Sequence, residues 1–288
     1  MEKEKRTCPI CKNTKVEHTN YNLRDNKTLK VLKCKNCSVC FLSSFEHINE
    51  NFYQEGKMAS VMKNPQTWLK NAEIDDKRRF KFLKNTIKGK KYLDFGCGAG
   101  GVLLNFKDIA QVYGVEKCSG LKEHYKKNNL EVFENINETN EKFDVISMFH
   151  VLEHLSEPKE KIKELISFLN ENGKLIIEVP SGDDALITLY KCKKFIDFTH
   201  WSCHLYSFSK KSIKEILKNI PNIKINYIKN ISRFGLANHL YWILKGKKGG
   251  QNIWKFLNKF DFLYKPFLKL IQKSDTLIIC ITKTTQNT

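Results

Sequence analysis

Two pairs of cysteines near the N-terminus have the spacing of a metal site. Cys8 and Cys11 form one C-x-x-C turn, and Cys34 and Cys37 form a second one. The two turns are separated by 22 residues. Four thiolates from two such turns satisfy the tetrahedral coordination of a structural zinc ion. We therefore expect these cysteines to bind zinc, with reduced thiols that hold no metal and an iron–sulfur cluster as the alternatives. Four protein ligands would leave no open position for catalysis.

A glycine-rich segment, Asp94 to Gly101, has the composition of a loop that approaches a nucleotide closely. Its glycines fit a dinucleotide fingerprint, G-x-G-x-x-G, and equally a second motif, D-x-G-x-G-x-G, which begins at Asp94. Asp94 would end a strand where it can reach the ammonium end of a cofactor. Glu116 would end the next strand and can accept hydrogen bonds from both ribose hydroxyls, although such an acid also suits NAD.

The segment from Phe143 to Leu155 decides between the two motifs. With it, the chain resembles the class I methyltransferases that depend on S-adenosylmethionine (SAM), and more closely the methyltransferase type 23 group, which includes ubiquinone-biosynthesis-like enzymes. The matching segments are Leu93–Gly100, Val115–Glu116, Phe143–Ile146, His150–Leu155 and His204–Ser209. The resemblance covers residues 92–230 well. It extends to the cysteine module, a zinc-ribbon-like unit that precedes this core in methyltransferases of sugar-modifying and polysaccharide gene clusters.

This resemblance implies both a fold and a cofactor site. The fold would be a Rossmann-like α/β sheet of seven strands whose last strand, 276–282, is antiparallel. SAM would lie across the carboxyl ends of the first two strands, at the switch point of the open sheet. The implied cofactor contacts are Asp94, Gly96, Gly98, Gly100, Glu116 and Phe149. SAM carries the reactive methyl group, so the protein would mainly position the two reactants.

Histidines follow the fourth and fifth predicted strands, where a catalytic base could lie. They are His150, His154, His200 and His204. If the acceptor is a hydroxyl, a base of near-neutral pKa helps to remove its proton, and we rank His204 first and His150 second. For each histidine alone, a hydrogen-bonded structural role is more common. Some relatives bind a divalent metal through a Glu-x-x-Glu-His cluster, which here reads His150-x-x-Glu153-His154, so a metal is a further alternative.

Strands and helices alternate through the middle of the chain. We expect strands at 91–95, 111–115, 131–133, 143–149 and 174–179, with helices that begin at 101, 121 and 158. This alternation predicts a parallel, doubly wound sheet. We divide the chain into a zinc-binding module at 1–45, a helical linker at 46–91 and a SAM-dependent methyltransferase domain at 92–288. The last includes a helical cap at 183–275.

The 288 residues carry a net charge of +19, from 50 Lys and Arg against 31 Asp and Glu. This charge suits an acidic partner such as nucleic acid or an anionic membrane. The alternative is codon bias, because the lysines are spread along the chain and an AT-rich gene would encode many of them. No apolar run of about 18 residues occurs, and none follows the charged start of the chain. We therefore expect a cytoplasmic protein.

Residues 239–273 interleave aromatic side chains with lysines. One interpretation is a helical cap over the active site with its apolar face buried. The other is an amphipathic surface that contacts an anionic membrane or a lipid-linked substrate, which would place the protein peripherally at the inner membrane surface.

The sequence thus predicts a SAM-dependent methyltransferase that modifies a hydroxyl of a small molecule, such as a sugar, a nucleotide sugar or a glycan precursor. The alternative is an RNA or protein methyltransferase that holds its macromolecule with the zinc module and the basic surface. A non-catalytic binding module is disfavoured, because Asp94, the glycine loop and Glu116 are intact. The substrate assignment rests on analogy.

Overall fold

A computed structural model describes residues 7–48, 64–250 and 253–285 of the chain. Much of the predicted helical linker, residues 49–63, lies outside the described residues. The strands are β1 (Val16–His18), β2 (Val31–Cys34), β3 (Cys40–Leu42), β4 (Lys91–Phe95), β5 (Gln111–Val115), β6 (Glu131–Phe133), β7 (Phe143–Phe149), β8 (Leu169–Pro180), β9 (Tyr206–Ser207), β10 (Ile223–Ile231) and β11 (Thr276–Lys283). The helices are α1 (Pro65–Ile87), α2 (Gly101–Phe106), α3 (Lys122–Lys127), α4 (Pro158–Ser167), α5 (Ala185–Thr188), α6 (Lys193–Thr199), α7 (Lys210–Leu217), α8 (Leu236–Lys245) and α9 (Asp261–Leu270).

Seven strands form the central sheet in the order β10-β11-β8-β7-β4-β5-β6. The five strands from β8 to β6 are parallel, and β11 pairs antiparallel with both β8 and β10. The predicted seven-stranded α/β sheet with an antiparallel last strand is confirmed. Since the parallel strands share one direction, their carboxyl ends and the loops that follow them lie along one edge of the sheet.

Strand β8 is longer than the sequence suggests. It begins at Leu169, directly after α4, whereas the sequence predicts a strand only from residue 174 and a helix that continues to 169. Leu169 pairs with Phe143 on β7, and both side chains are buried. Packing against a neighbouring strand therefore overrides the helical spacing at this position.

A second sheet joins the cysteine module to the larger domain. Its order is β1-β2-β3-β9, all antiparallel, with Phe41 of β3 opposite Tyr206 of β9. The amide of Leu42 donates to the carbonyl of Leu205 at 3.1 Å. Both sides of this junction belong to one continuous hydrophobic core. A module of about 40 residues has little core of its own, so this packing and a metal can both stabilise it.

The segment between β10 and β11 forms a cap of α8, a short 3₁₀ helix (Lys255–Phe260) and α9. The wider range predicted as a helical cap, 183–275, also contains the strands β9 and β10. Helix α8 buries Ala237 and Trp242, whereas Phe262 and Phe267 of α9 are exposed, so the cap buries only part of its apolar surface. Among the described residues, no helix has the length and apolar character needed to cross a membrane.

Candidate active site

The glycine-rich loop lies between β4 and α2 and bends too sharply for other residues. Gly96 has φ +76° and Gly98 has φ +53°, both in the left-handed region. A Cβ on Gly98 would lie 2.4 Å from the ring of Trp68, and a Cβ on Gly96 would lie 2.4 Å from a methyl of Val151. The loop backbone therefore approaches its neighbours more closely than any side chain would permit.

Asp94 lies at the end of β4 with almost no exposure. The hydroxyl of Ser147, on the adjacent β7, donates to Asp94 Oδ1 at 2.6 Å, and the Tyr92 hydroxyl lies 2.5 Å from the same Ser147 oxygen. Burial raises the pKa of Asp94 to about 7, although the bond from Ser147 opposes this. The second carboxylate oxygen accepts no bond from Ser147, so it can receive a positively charged ligand.

Glu116 follows β5 and is held by main-chain donors. Its Oε2 accepts from the amide of Gly98 at 3.0 Å, and its Oε1 accepts from the amide of Cys118 at 3.0 Å. Burial raises the pKa of Glu116, and the two amide bonds oppose this change. Each carboxylate oxygen can accept a second hydrogen bond, which leaves capacity for a ligand.

These residues line a cavity of about 560 Å³, which we call the loop cavity. The predicted cofactor residues on it are Asp94, Gly96, Gly98, Glu116 and Phe149. Gly100 is not among the lining residues; its φ of +76° and a contact of 2.7 Å between a built Cβ and Leu130 show that it shapes the turn instead.

Helix α1 closes the loop cavity on the side opposite the sheet, with Trp68, Asp76 and Arg79 in its lining. The Arg79 guanidinium also lies 4.6 Å from the ring centroid of Phe149. No motif in the sequence marks these residues as part of the site. Helical spacing shows that a helix precedes β4 but does not show which edge of the sheet it covers.

A buried ion-pair network fastens α1 to the sheet. Arg78 Nη2 donates to both carboxylate oxygens of Glu178, at 2.8 and 2.9 Å, and Arg79 Nη2 donates to Oε1 at 2.8 Å. Glu178 is on β8 and has no exposed surface. Burial alone would raise the pKa of Glu178, yet the charge of Arg79 and the contacts with His150 and Arg78 hold it well below its usual range.

His150 directly follows β7 and is surrounded by charged groups. Its Nδ1 lies 3.3 Å from Glu153 Oε1, and its Nε2 lies 3.3 Å from Glu178 Oε1. Arg233, which is paired with Asp75 of α1, donates through Nη1 to Nε2 of His150 at 2.9 Å. Because a guanidinium can only donate, Nε2 is the acceptor in this hydrogen bond. His150 also has φ +56°, a conformation rare for a residue with a side chain.

A second cavity of about 380 Å³, the aromatic cavity, lies beside the first. Its walls are mostly apolar and aromatic, and they include Leu186, Ile187, Phe195, Phe198, Phe234 and Trp242. The cysteine module contributes Val31, Cys40, Phe41 and Leu42. Two residues, His150 and Arg233, line both cavities. A group transferred between molecules in the two cavities would therefore pass these side chains.

His204, the first-ranked histidine, lines the aromatic cavity but not the loop cavity. Its ring centroid lies 4.8 Å from that of His154 and 5.1 Å from that of Trp201. Burial, followed by the neighbouring charges of His154 and His150, holds the pKa of His204 well below its usual value, so it is neutral at pH 7.

Glu153, His154 and His204 place one ligand atom each within 4.8 Å of one another. Neither carboxylate oxygen of Glu153 has a hydrogen-bond partner among the described residues, since its 3.3 Å contact with His150 is poorly aligned. The divalent metal considered from the sequence would need such a group of atoms, and it stays a prediction.

The four predicted zinc ligands also meet in the structure. The sulfurs of Cys8 and Cys37 are 3.7 Å apart, those of Cys11 and Cys34 are 3.5 Å apart, and all four lie within 4.8 Å. A tetrahedral zinc ion with Zn–S bonds of about 2.3 Å would separate its sulfurs by about 3.8 Å. The hydrogen-bond contact between the sulfurs of Cys8 and Cys37 lowers the pKa of Cys8, which favours the thiolate that a metal requires.

Comparison with known proteins gives one family. The model of a family described as a methyltransferase domain matches residues 67–220, more than half of the chain. The ubiquinone biosynthesis O-methyltransferase of Coxiella burnetii is 31% identical over 126 residues, which cover 39% of this chain and 53% of the relative. The chain therefore spans about half the length of this curated relative.

Two further proteins show how far the similarity extends. The tRNA U34 carboxymethyltransferase of Campylobacter hominis is 27% identical over 194 residues, which cover 57% of this chain and 67% of the relative. A chain of the complex between the Haloferax volcanii Trm112 methyltransferase activator and a methyltransferase superposes with a TM-score of 0.51 at 11% identity. That superposition covers 79% of this chain and 99% of the other, and at such identity it concerns the fold alone.

The buried carboxyl of Asp94 makes the stability of the protein depend on pH. Its pKa is about 7 in the folded protein against an ordinary value of 3.8, so between these values the folded state holds a proton that the unfolded chain has released. Stability from this group is therefore lost as the pH rises through that window, by up to about 4 kcal/mol. The side chain of Asp94→Asn cannot ionise, so this variant should not lose stability over that pH range for this reason.

Denaturant unfolding of both proteins at about pH 4.5 and about pH 7.5 checks this expectation. The wild type should lose stability relative to Asp94→Asn between the two pH values. Parallel stability profiles would show that the carboxyl is ionised throughout and would contradict the raised pKa.

Proposed function

The chain belongs to the methyltransferase-domain family, and from this we propose that it transfers the methyl group of SAM to an acceptor held in the aromatic cavity. One observation carries the proposal: His150 and Arg233 line both the loop cavity and the aromatic cavity. A cofactor in one cavity and an acceptor in the other would then face each other across these two side chains. Holding two reactants in line can contribute about 7–11 kcal/mol to lowering a barrier.

The loop cavity fits SAM in the chemistry of its lining. Asp94 offers a carboxylate to the ammonium group, and Glu116 offers acceptors to the ribose hydroxyls. Gly96 and Gly98 keep the wall free of side chains that would fill it. SAM supplies a methyl group on a sulfonium, which is reactive without activation by the protein. We assign cofactor contacts to these four residues and to Phe149, with Gly100 shaping the loop.

We propose His150 as the base that removes a proton from the acceptor. His150 lies among charged side chains: the carboxylates of Asp75, Asp76, Glu153 and Glu178 and the guanidinium groups of Arg78, Arg79 and Arg233. Nε2 can take the proton only when Arg233 gives up its hydrogen bond to this nitrogen, and Arg233 can then donate to the acceptor oxygen instead. The sequence ranked His204 first, but His204 lines only the aromatic cavity.

The acceptor that this arrangement suits best is a hydroxyl of a small molecule. A cavity of about 380 Å³ with aromatic side chains in its walls fits a ring with an apolar face. The similarity to an enzyme named for O-methylation in ubiquinone biosynthesis agrees with oxygen as the methylated atom. A sugar, nucleotide sugar or glycan precursor rests on the sequence resemblance alone.

Methylation of a macromolecule is the second candidate. The net charge of +19 and the similarity to a tRNA-modifying enzyme favour it. Against it, the cysteine module contributes a wall of the aromatic cavity and packs against the methyltransferase core, so it is not a separate surface that grips RNA. Retention on immobilised tRNA at about 150 mM salt, where non-specific contacts are weakened, would favour this candidate over a small acceptor.

We propose that Cys8, Cys11, Cys34 and Cys37 bind a structural zinc ion. The sulfur separations of 3.5 and 3.7 Å support this, because they are close to the spacing of a tetrahedral site. The Ser209 hydroxyl donates to the carbonyl of Cys37 at 3.1 Å, which joins the metal turn to α7. Loss of the metal would thus disturb the module and, through it, the wall of the aromatic cavity.

Binding of SAM tests the first step. Calorimetry should show binding by the wild type and affinity about 10- to 100-fold weaker for Glu116→Ala, because hydrogen bonds to a charged acceptor contribute about 1.5–3 kcal/mol. Glu131→Ala, which changes an exposed glutamate at the start of β6, is the matched control and should bind like the wild type. A wild-type protein that gives no heat with SAM would sink the assignment.

Transfer of labelled methyl to candidate phenols, nucleotide sugars and extracted glycans tests the second step. With an acceptor in hand, His150→Gln should lower kcat by about 100-fold or more, since general-base catalysis typically contributes 10²–10⁴. His204→Gln should have a smaller effect, and both variants should bind SAM like the wild type. If the two effects are reversed, His204 is the base and our assignment of His150 is wrong.

Metal analysis tests the zinc site. The purified protein should contain about one zinc per chain, and the double variant Cys8→Ser, Cys11→Ser should contain none and unfold at a lower temperature, because a structural metal contributes folding free energy. Cys118→Ser changes a partly exposed thiol outside the cluster and serves as the control. A wild type without metal that is as stable as a metal-loaded sample would refute the site.

A further inference from the structure

Helix α9 exposes an apolar face on the outside of the molecule. Phe262 is 71% exposed, Leu263 63%, Phe267 48% and Leu270 80%. Their spacing places them on one side of a helix, together with the exposed Pro266. The part of the chain that the structure describes provides no element that covers this face. Isolated exposed apolar residues are common, but a contiguous set on one helix face indicates a contact surface.

The opposite side of α9 is held in place, so the apolar face cannot turn inwards. Leu268 is completely buried. The Tyr264 hydroxyl lies 2.7 Å from Nδ1 of His239 on α8 and 2.8 Å from the hydroxyl of Tyr190. Asp261 Oδ1 accepts from the amide of Leu236 at the start of α8. These contacts fix which side of the helix faces solvent.

The apolar surface continues into the preceding 3₁₀ helix. Phe256 is 69% exposed and Phe260 is 43% exposed. We call the six residues together the cap face: Phe256, Phe260, Phe262, Leu263, Phe267 and Leu270. Ile243 and Leu244 at the end of α8 are exposed as well. No other described segment of similar length exposes as many large apolar side chains.

The charges of the same segment select the partner. Residues 236–273 contain eight lysines and one acidic residue, Asp261. Asp261 is already engaged by the Leu236 amide and by Lys265 at 3.3 Å. The lysines Lys255, Lys259 and Lys269 are exposed next to the cap face. These three lysines form no ion pair with another described residue. An apolar helix face flanked by such lysines matches a surface that is both apolar and anionic.

We propose that the cap face docks on an anionic lipid bilayer, with α9 lying in the plane of the interface. Phenylalanine and leucine side chains would enter the acyl boundary while the lysines contact acidic headgroups. RNA would account for the lysines but gives no role to Leu263 and Leu270. Docking on a bilayer does not require methyl transfer. Docking would nevertheless affect the proposed acceptor site, because α8 connects the cap face to the aromatic cavity, which His239 and Trp242 line.

Vesicle flotation of the purified full-length chain tests the proposal. Binding should be at least tenfold stronger to phosphatidylglycerol-containing vesicles than to phosphatidylcholine vesicles, and salt should weaken it. Phe262→Gln with Leu270→Gln should lower binding at least tenfold, because each side chain loses its transfer from water. Ile74→Gln with Ile225→Gln alters two residues of α1 and β10 that are 49% and 43% exposed, and this control should bind within about twofold of the wild type.

A second pair of variants isolates the charge. Lys259→Gln with Lys269→Gln should weaken binding to the anionic vesicles by about fivefold per lysine, with little effect on unfolding temperature. Failure of the wild type to float with anionic vesicles would overturn the proposal. So would a wild-type dimer that Phe262→Gln with Leu270→Gln converts to a monomer, since the cap face would then join two copies of the chain. Binding to RNA that these two apolar substitutions leave intact, without flotation, would overturn it too.

Discussion

The buried carboxylate of Glu178 is the constraint on which the arrangement of the site depends. An unpaired charge at that depth is prohibitively costly, and removing one partner of a buried pair typically costs about 3–5 kcal/mol. Arg78 and Arg79 meet this requirement from α1, which places that helix over the carboxyl ends of the strands. The helix then closes the loop cavity. The same carboxylate contacts His150, so one group determines both the position of α1 and the surroundings of the proposed base.

The cysteine module forms part of the wall of the aromatic cavity, where we propose that the acceptor binds. Strand β3 pairs with β9, and this pairing sets Phe41 and Leu42 into the wall of the aromatic cavity. A metal bound by the module would thus stabilise a surface that an acceptor contacts, without taking part in the chemistry. Under the proposed function, a closed structural metal site would therefore affect binding of the acceptor although the reactive group comes from SAM.

The cap contributes both to the aromatic cavity and to the exposed apolar cap face. Its inner helix, α8, contributes His239 and Trp242 to the aromatic cavity, while its outer helix, α9, exposes Phe262 and Leu270. The proposed lipid-binding surface and the cavity with aromatic walls therefore share one small element. An acceptor that partitions into a membrane would suit both.

The sequence alone determined the elements and the short-range motifs. Glycine spacing, the C-x-x-C turns and alternating apolar runs report local geometry, so the loop at Asp94, the metal turns and most strand bounds could be predicted. Contacts between distant segments could not. Arg79 meets Glu178 across about 100 residues, and Arg233 meets His150 across more than 80. Apolar periodicity shows which face of a helix is hydrophobic, but only the tertiary structure decides whether that face, as in α9, is covered.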